Sequence, residues 1–302
     1  MGSNALKGPQ VTDVHSCSLL GDPNVFQTAS ADGFIRTWDL RTQNSVESYA
    51  SQHEKAIYSC HCNSEYVAGG VGEDLVLWDR RTRKTAAMFR DTHALDIVQL
   101  RFDETQPTVF VSASEDGNVA VFDISTTIDE EDSFVGAVSI NTSVSRMGMF
   151  GSQNERLWCS TGTESLHWWD WKDFCDPLST SGAGVTAESI NARESLKIGE
   201  RQSDYIIRCH FDSHQSSMYC VSGDIHGTIV IYPCHDSSGE ILFGVHPSEI
   251  LQGGHADIVR DVAIISHGLV SGGEDGRLCL WTNNASSSSA PKQGKRPSFS
   301  PY

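Results

Sequence analysis

The sequence predicts an all-β protein built as a β-propeller with six visible blades, and three observations carry the prediction. The stretch Thr28 to Arg41, TASADGFIRTWDLR, alternates apolar with small or polar residues around an Asp32-Gly33 turn, the pattern of a tight antiparallel hairpin. It returns as VSASEDGNVAVFD at Val111 to Asp123 and as SGGEDGRLCLW at Ser271 to Trp281. Each time the turn Asp stands six residues before an aromatic, in Asp32/Trp38, Asp116/Phe122 and Asp275/Trp281. Three further copies, ending at Trp78, Trp169 and Tyr232, keep the aromatic and lose the turn Asp. The series recurs at about 40 to 45 residues, the length of a four-stranded blade.

Met1 to Gln10 is small and polar and reads as a loop. The propeller then occupies 11–282. The first blade takes strands near Val11 to Cys17, Val25 to Ser30, Gly33 to Leu40 and Val46 to Ala50. The second runs from Ala56 to Phe89, with Tyr66 to Gly70 and Leu75 to Asp79 as its middle strands. The third starts at Ile97, includes Val109 to Ser112 and Val119 to Asp123, then carries an acidic loop at Ile128 to Asp132 before an outer strand near Val135 to Ile140. The fourth uses Val144 to Phe150, Leu157 to Ser160 and Leu166 to Asp170.

The aromatic anchors are spaced by 40, 44, 47, 63 and 49 residues, so the long interval marks an insertion. It falls in 171–203, where alternation gives way to Pro177 and a Ser/Gly/Ala run, and is expected to be a long loop with room for a short helix. The fifth blade takes Tyr205 to Phe211, Met218 to Ser222, Thr228 to Tyr232 and Glu249 to Leu251; the sixth takes Ile258 to Ile264, Leu269 to Gly272 and Arg277 to Trp281. Residues 283–302 lack apolar surface to bury and read as a disordered Ser/Pro-rich basic tail. The sixth blade thus lacks an outer strand, and a propeller closes by supplying one from the other end of the chain. The strand count therefore leads to the expectation of about one more blade and a closing strand upstream of Met1.

Twenty-two basic against 39 acidic residues give a net charge of −17, which disfavours nucleic acid and favours basic protein partners. The nine cysteines fall mostly within strand patterns and read as reduced core residues of an intracellular protein, cytoplasmic or nuclear. No apolar run approaches the ~18 residues of a membrane span.

The Trp-Asp pairs at Trp38, Trp78 and Trp169 and the Gly254-His255 of LQGGHADIVRDV resemble the WD-repeat family across Val11 to Trp281. LQGGHADIVR with SGGEDGRLCLW, SASEDGNVAVFDI with DEED, and HWWDW are similar to one narrower group within it. The resemblance implies seven blades and a non-catalytic interaction platform without a cofactor or metal. It also implies a structural relay of His, Ser or Thr, turn Asp and Trp, for which His93 with Asp116, and His255 with Asp275 and Trp281, are placed; Phe122 departs from it. A catalytic use of these His-Asp-Ser sets is the poorer reading, because the repeat already explains their spacing.

Two blades end in Trp-Asp-x-Arg, at Arg41 and Arg81. This is similar to the box by which some WD proteins dock the adaptor of cullin-4 ubiquitin ligases; a solvated turn arginine gives the same pattern. Aligning the repeats puts Tyr58, Gln99, Ser145, Arg208 and Arg260 at one rim position, with Glu115 and Glu274 beside the turn Asps, a mixed ring suited to basic peptide segments. Cys209-His210 with His214, and Cys60-His61-Cys62, are weak metal patterns, since strand neighbours point to opposite faces. A propeller enzyme is the alternative class, but no phosphate-cradling Gly loop or nucleophile elbow is present.

Overall fold

A computed structural model describes residues 10–16, 22, 24–174, 188–191, 195–198, 201–213, 215–237, 240–244, 246–265 and 268–282. The expected N-terminal loop except Gln10, the tail, His214 and the Pro177 stretch lie outside the described residues. The repeated hairpins form six antiparallel sheets in chain order, a six-bladed propeller arrangement. The first is Val11–Ser16, Val25–Ser30, Phe34–Asp39 and Asn44–Ala50; the second is Ser59–Cys62, Tyr66–Val71, Asp74–Asp79 and Lys84–Phe89. The third is Ile97–Phe102, Val109–Ser114, Asn118–Asp123 and Phe134–Ser139. The fourth is Val144–Phe150, Arg156–Thr161, Ser165–Asp170 and Glu188–Asn191. Among the described residues the sixth sheet has three strands, Val259–Ile265, Gly268–Gly273 and Leu278–Thr282.

Three segments depart from the sequence reading. Glu188–Asn191 lies inside the expected insertion, yet pairs with Ser165–Trp168 as the fourth sheet's outer strand. ESIN carries no alternation to read, and its backbone pairing identifies it as a strand. Beyond it, Leu196 is fully buried between the fourth and fifth sheets, and Lys197–Ile198 pairs with Arg201–Gln202. The fifth sheet's third strand continues past Tyr232 to Ser237, pairing with Glu249–Leu251 at one end and Glu240–Phe243 at the other. Finally, the acidic loop contains one helical turn, Glu130–Ser133, whose first turn is capped by the Asp129 side chain accepting from the Glu131 N–H. Glu130 accepts from the Arg90 N–H (2.9 Å), the Asp91 N–H (3.0 Å) and the Thr92 hydroxyl (2.9 Å), so it staples the preceding blade's exit and is not a spare acid for a partner.

A sheet with apolar residues on both faces must bury both, and each sheet does so against its neighbours. Five apolar clusters result. Ile35, Tyr49, Ile57 and Trp78 join the first and second sheets; Phe89, Phe102, Phe110 and Phe122 join the second and third. Val121, Met147, Leu157 and Trp169 join the third and fourth, Trp158, Trp168, Cys220 and Tyr232 the fourth and fifth, and Ile207, Val221, Val259 and Leu269 the fifth and sixth. No such cluster joins the sixth to the first among the described residues. On the sixth sheet Leu278 is 79% and Leu280 62% exposed. No disulfide joins the seven described cysteines to one another, and six of them are buried.

In five sheets the innermost strand carries a β-bulge near its start, at Thr12, Val98, Ser145, Ile207 and Arg260. An extra residue there re-aims the side chains around it.

Candidate interaction surface

The start of each inner strand is tied to the hairpin turn of its own sheet, so turns and strand starts share one rim. The Glu115 N–H donates to Asp96 O (3.0 Å), the Gly162 N–H to Ser143 O (3.0 Å) and the Glu274 N–H to Ile258 O (2.8 Å). At the Asp116-Gly117 turn Gly117 has φ +84°, and a Cβ there would meet Thr142 O at 2.8 Å, so this turn needs glycine.

Behind the turns the relays assemble as the sequence places them. His93 Nδ1 faces Asp116 Oδ2 at 3.3 Å and its Nε2 faces Ser112 Oγ at 2.8 Å. In the sixth sheet His255 Nδ1 lies 3.1 Å from Asp275 Oδ1 and Nε2 2.8 Å from Ser271 Oγ, and the Trp281 indole N–H donates to that same hydroxyl at 2.8 Å. Burial disfavours ionisation of Asp116, yet the Ala94 and Asn118 N–H groups and His93 hold its carboxyl below the usual range. Burial likewise opposes ionisation of Asp275, but the Ala256 N–H, the His255 ring and the Arg277 N–H hold it at about 2. Burial keeps His93 from protonating in the usual range, against the pull of Asp116.

Elsewhere other groups substitute. Asp32 pairs with Arg36 at 2.6 Å, while the Trp38 indole donates to Thr28 Oγ1 at 2.9 Å. The Trp78 indole reaches the first sheet's outer strand at Ala50 O, 3.2 Å away. In the fifth sheet His226 stands six residues before Tyr232 where three other copies have Asp, and Asp224, two residues earlier, accepts the His226 and Thr228 N–H groups, each at 2.9 Å.

The residues expected to form one ring divide. Ser145 and Arg260 are bulge residues, whereas Gln99 and Arg208 follow the bulge, so the aligned positions differ by one. Gln99 Oε1 accepts the Met147 N–H at 2.7 Å and so stitches the third sheet to the fourth. Arg208 donates to Val262 O at 2.9 Å, faces Asp261 at 3.4 Å, and lines a cavity that extends toward the opposite end of the inner strands. Arg260 pairs with Glu274, and Glu115 is exposed outside the rim cavities.

Two cavities open among the rim residues. One, of about 400 Å³, is polar and takes in Asp13, Tyr58, Gln99, Ser145 and Asp261. The other, of about 650 Å³, lies between the fourth, fifth and sixth sheets and is lined by Ser145, Glu164, Tyr205, Ile206, Ile225 and Arg260. Arg146 separates them, donating to Arg260 O at 2.9 Å and facing Asp261 at 3.7 Å. Glu164, Tyr205 and Ile225 were missed from sequence. Glu164 accepts the Ile206 N–H (2.6 Å) from the next sheet, the Tyr205 hydroxyl accepts the Val259 N–H (2.7 Å), and Ile225 stands 55% exposed at the tip of a turn lacking the Asp-Gly signal. Burial pushes the Tyr205 phenol up to about 12, so it keeps its proton.

On the other side, Arg41 is clasped by Asp39 (2.9 and 2.8 Å) and by Asp22 (2.8 Å), which fill its fork. Arg81 is exposed. Among the described residues there is no group of three or more His, Cys, Asp or Glu arranged for a metal, and no helix long and apolar enough to cross a membrane.

The model of the family described as WD domain, G-beta repeat matches residues 247–282. WD repeat-containing protein GTS1 of Arabidopsis thaliana is 30% identical over 89% of this chain and 69% of its own length. The WD repeat-containing protein 89 homolog of Dictyostelium discoideum is 26% identical over 90% of this chain and 72% of its own. Among solved structures, a chain of the mitotic checkpoint complex superposes with a TM-score of 0.64 at 16% identity, covering 86% of this chain and 72% of that one.

Proposed function

This chain belongs to the WD-repeat family, and on that premise we propose that it is a non-catalytic scaffold that binds basic peptide segments of partner proteins on the rim bearing its hairpin turns. The observation that carries the reading is the 650 Å³ groove, where apolar Ile206 and Ile225 lie beside Glu164 and the Arg260-Glu274 pair. An extended peptide can seat an apolar side chain on Ile225 and present lysines or arginines to the acidic rim of a chain carrying −17. The His-Asp-Ser sets are committed to holding strands together, which supports a role without catalysis.

The test is fluorescence anisotropy with a pool of Lys/Arg-rich peptides at low salt. Binding by the wild type should weaken about tenfold, or ~1.4 kcal/mol, in Ile225→Ala and in the charge reversal Glu274→Lys. Tyr58→Ala should weaken it if the peptide also enters the smaller cavity. Equal affinity in Ile225→Ala and Glu274→Lys would remove the reading.

A second reading, docking to a cullin-4 ligase adaptor, is favoured at one residue only. Arg81 offers an open guanidinium at a strand exit, whereas Arg41 is already occupied by Asp39 and Asp22. Co-precipitation of the adaptor should then be lost in Arg81→Ala and kept in Arg41→Ala. Retention in Arg81→Ala ends this reading.

A further inference from the structure

We propose that the end of the propeller opposite the hairpin turns holds a phosphate-bearing small molecule, its phosphate gripped between Arg101 and Arg208. The inner strands of three consecutive sheets deliver Arg101, Arg146 and Arg208 toward the centre. Two of them have partners there: Arg146 faces Asp261 at 3.7 Å and donates to Arg260 O, and Arg208 faces Asp261 at 3.4 Å and donates to Val262 O. Arg101 is different. It is largely buried, its Nε is buried without a hydrogen-bond partner, and no carboxylate among the described residues lies within ion-pairing distance of it. A guanidinium held so, with its buried Nε–H unmet, is costly unless something supplies an acceptor.

The space beside it is suited to that supply. Arg101 and Arg208 line one cavity of about 500 Å³, within the range that accepts a small organic ligand. Among its described lining residues Glu104 is the one carboxylate, and it stands exposed on the lip. His210 lines the same space. Burial first, and then the neighbouring charge of Arg208, make both Arg101 and His210 harder to protonate than usual, against the opposing pull of Asp13 and Glu104 on Arg101 and of Asp212 on His210. Trp158, Met147 and Phe211 give an apolar wall for the organic part of a ligand, and Ser152 and Ser213 add hydroxyls. Two planar forks can take separate edges of one phosphate, whereas a lone carboxylate satisfies a single fork.

Inorganic tripolyphosphate is the probe, titrated calorimetrically into the full chain at low salt, with a thermal melt alongside. The wild type should bind one equivalent and melt at a higher temperature. Arg101→Met and Arg208→Met should each weaken binding at least tenfold, Arg101→Lys should weaken it partially, and exposed Arg90→Met should leave it unchanged. Arg101→Met removes an unmet buried donor and should melt no lower than the wild type without probe; should it fail to fold, Arg208→Met and Arg101→Lys decide. No binding by the wild type at millimolar probe, or equal binding by the wild type and the Arg101 and Arg208 variants, overturns the proposal. So does a Glu-rich peptide that binds through Arg101 while tripolyphosphate does not. The Arg101 variants separate this site from the turn-side groove, since Arg101 lines neither rim cavity, whereas Arg208 also pairs with Asp261 of the smaller one.

Discussion

Replacing Phe110 by Ala should lower the stability of the fold by about 3 to 5 kcal/mol, read as a fall in the urea midpoint. Phe110 has no exposed surface. Its ring stacks on Phe122 at 4.9 Å and on Phe89 at 6.0 Å, and meets Phe102 edge-on at 5.4 Å. These rings come from the second sheet's outer strand and three strands of the third, so truncation opens a void at the seam between two blades. Backbone-paired strands on both sides cannot close over a missing ring without breaking register, which places the cost toward the upper end of the range. Phe110→Leu, which keeps most of the volume, should cost less than half as much. A loss under about 1 kcal/mol for Phe110→Ala would show that the blades do not depend on this seam.

His255→Ala should cost about 3 kcal/mol, the upper end for leaving buried polar partners unsatisfied. The imidazole is the shared partner of Asp275 and Ser271, and the Trp281 indole depends on the same hydroxyl. His93→Ala should cost less, because Phe122 places no indole donor on Ser112 and fewer groups lose their partners. Measuring both variants by urea unfolding checks the order; an equal or reversed order would show that Trp281 adds nothing to the relay.

Acid should act on these relays in two steps. His93 is harder to protonate folded than unfolded, so the unfolded chain takes up its proton first, and stability declines as pH drops below about 6.5. Asp275 and Asp116 are more acidic folded than unfolded, so the stability they contribute is complete above the ordinary Asp range and is lost as pH falls toward about 2. Asp275→Asn should flatten the second step and leave the first.

The architecture was legible in the sequence wherever an Asp-Gly turn separated two alternating strands. Ser271 to Trp281 carries turn, relay and anchor within one short run, and its partner His255 sits in the expected place before the inner strand. Legibility failed where a strand carries no alternation in its sequence. Glu188–Asn191 is polar and short, and only its pairing with Ser165–Trp168 identifies it as a strand. The rim was misread by one residue because a bulge is invisible in alternation: Ser145 and Arg260 occupy it, whereas Gln99 and Arg208 come after it. Gln99 still lines a rim cavity and Arg208 pairs with Asp261 beside it, while Glu164 and Tyr205, which sit in weak repeats, line the groove.

Among the described residues, six sheets are joined by five apolar seams, each coupling one sheet to the next as in a row. In a row, each unit is held by its own hydrogen bonds plus one contribution per neighbour, so the middle units are held twice and the end units once. Among the described residues the sixth sheet packs through one such seam, at Val259, Val262 and Leu269, while Leu278 and Leu280 are exposed. Amide protons of Leu278–Thr282 should therefore exchange with solvent through small local openings, while those of Val109–Ser114 wait for the loss of the whole array.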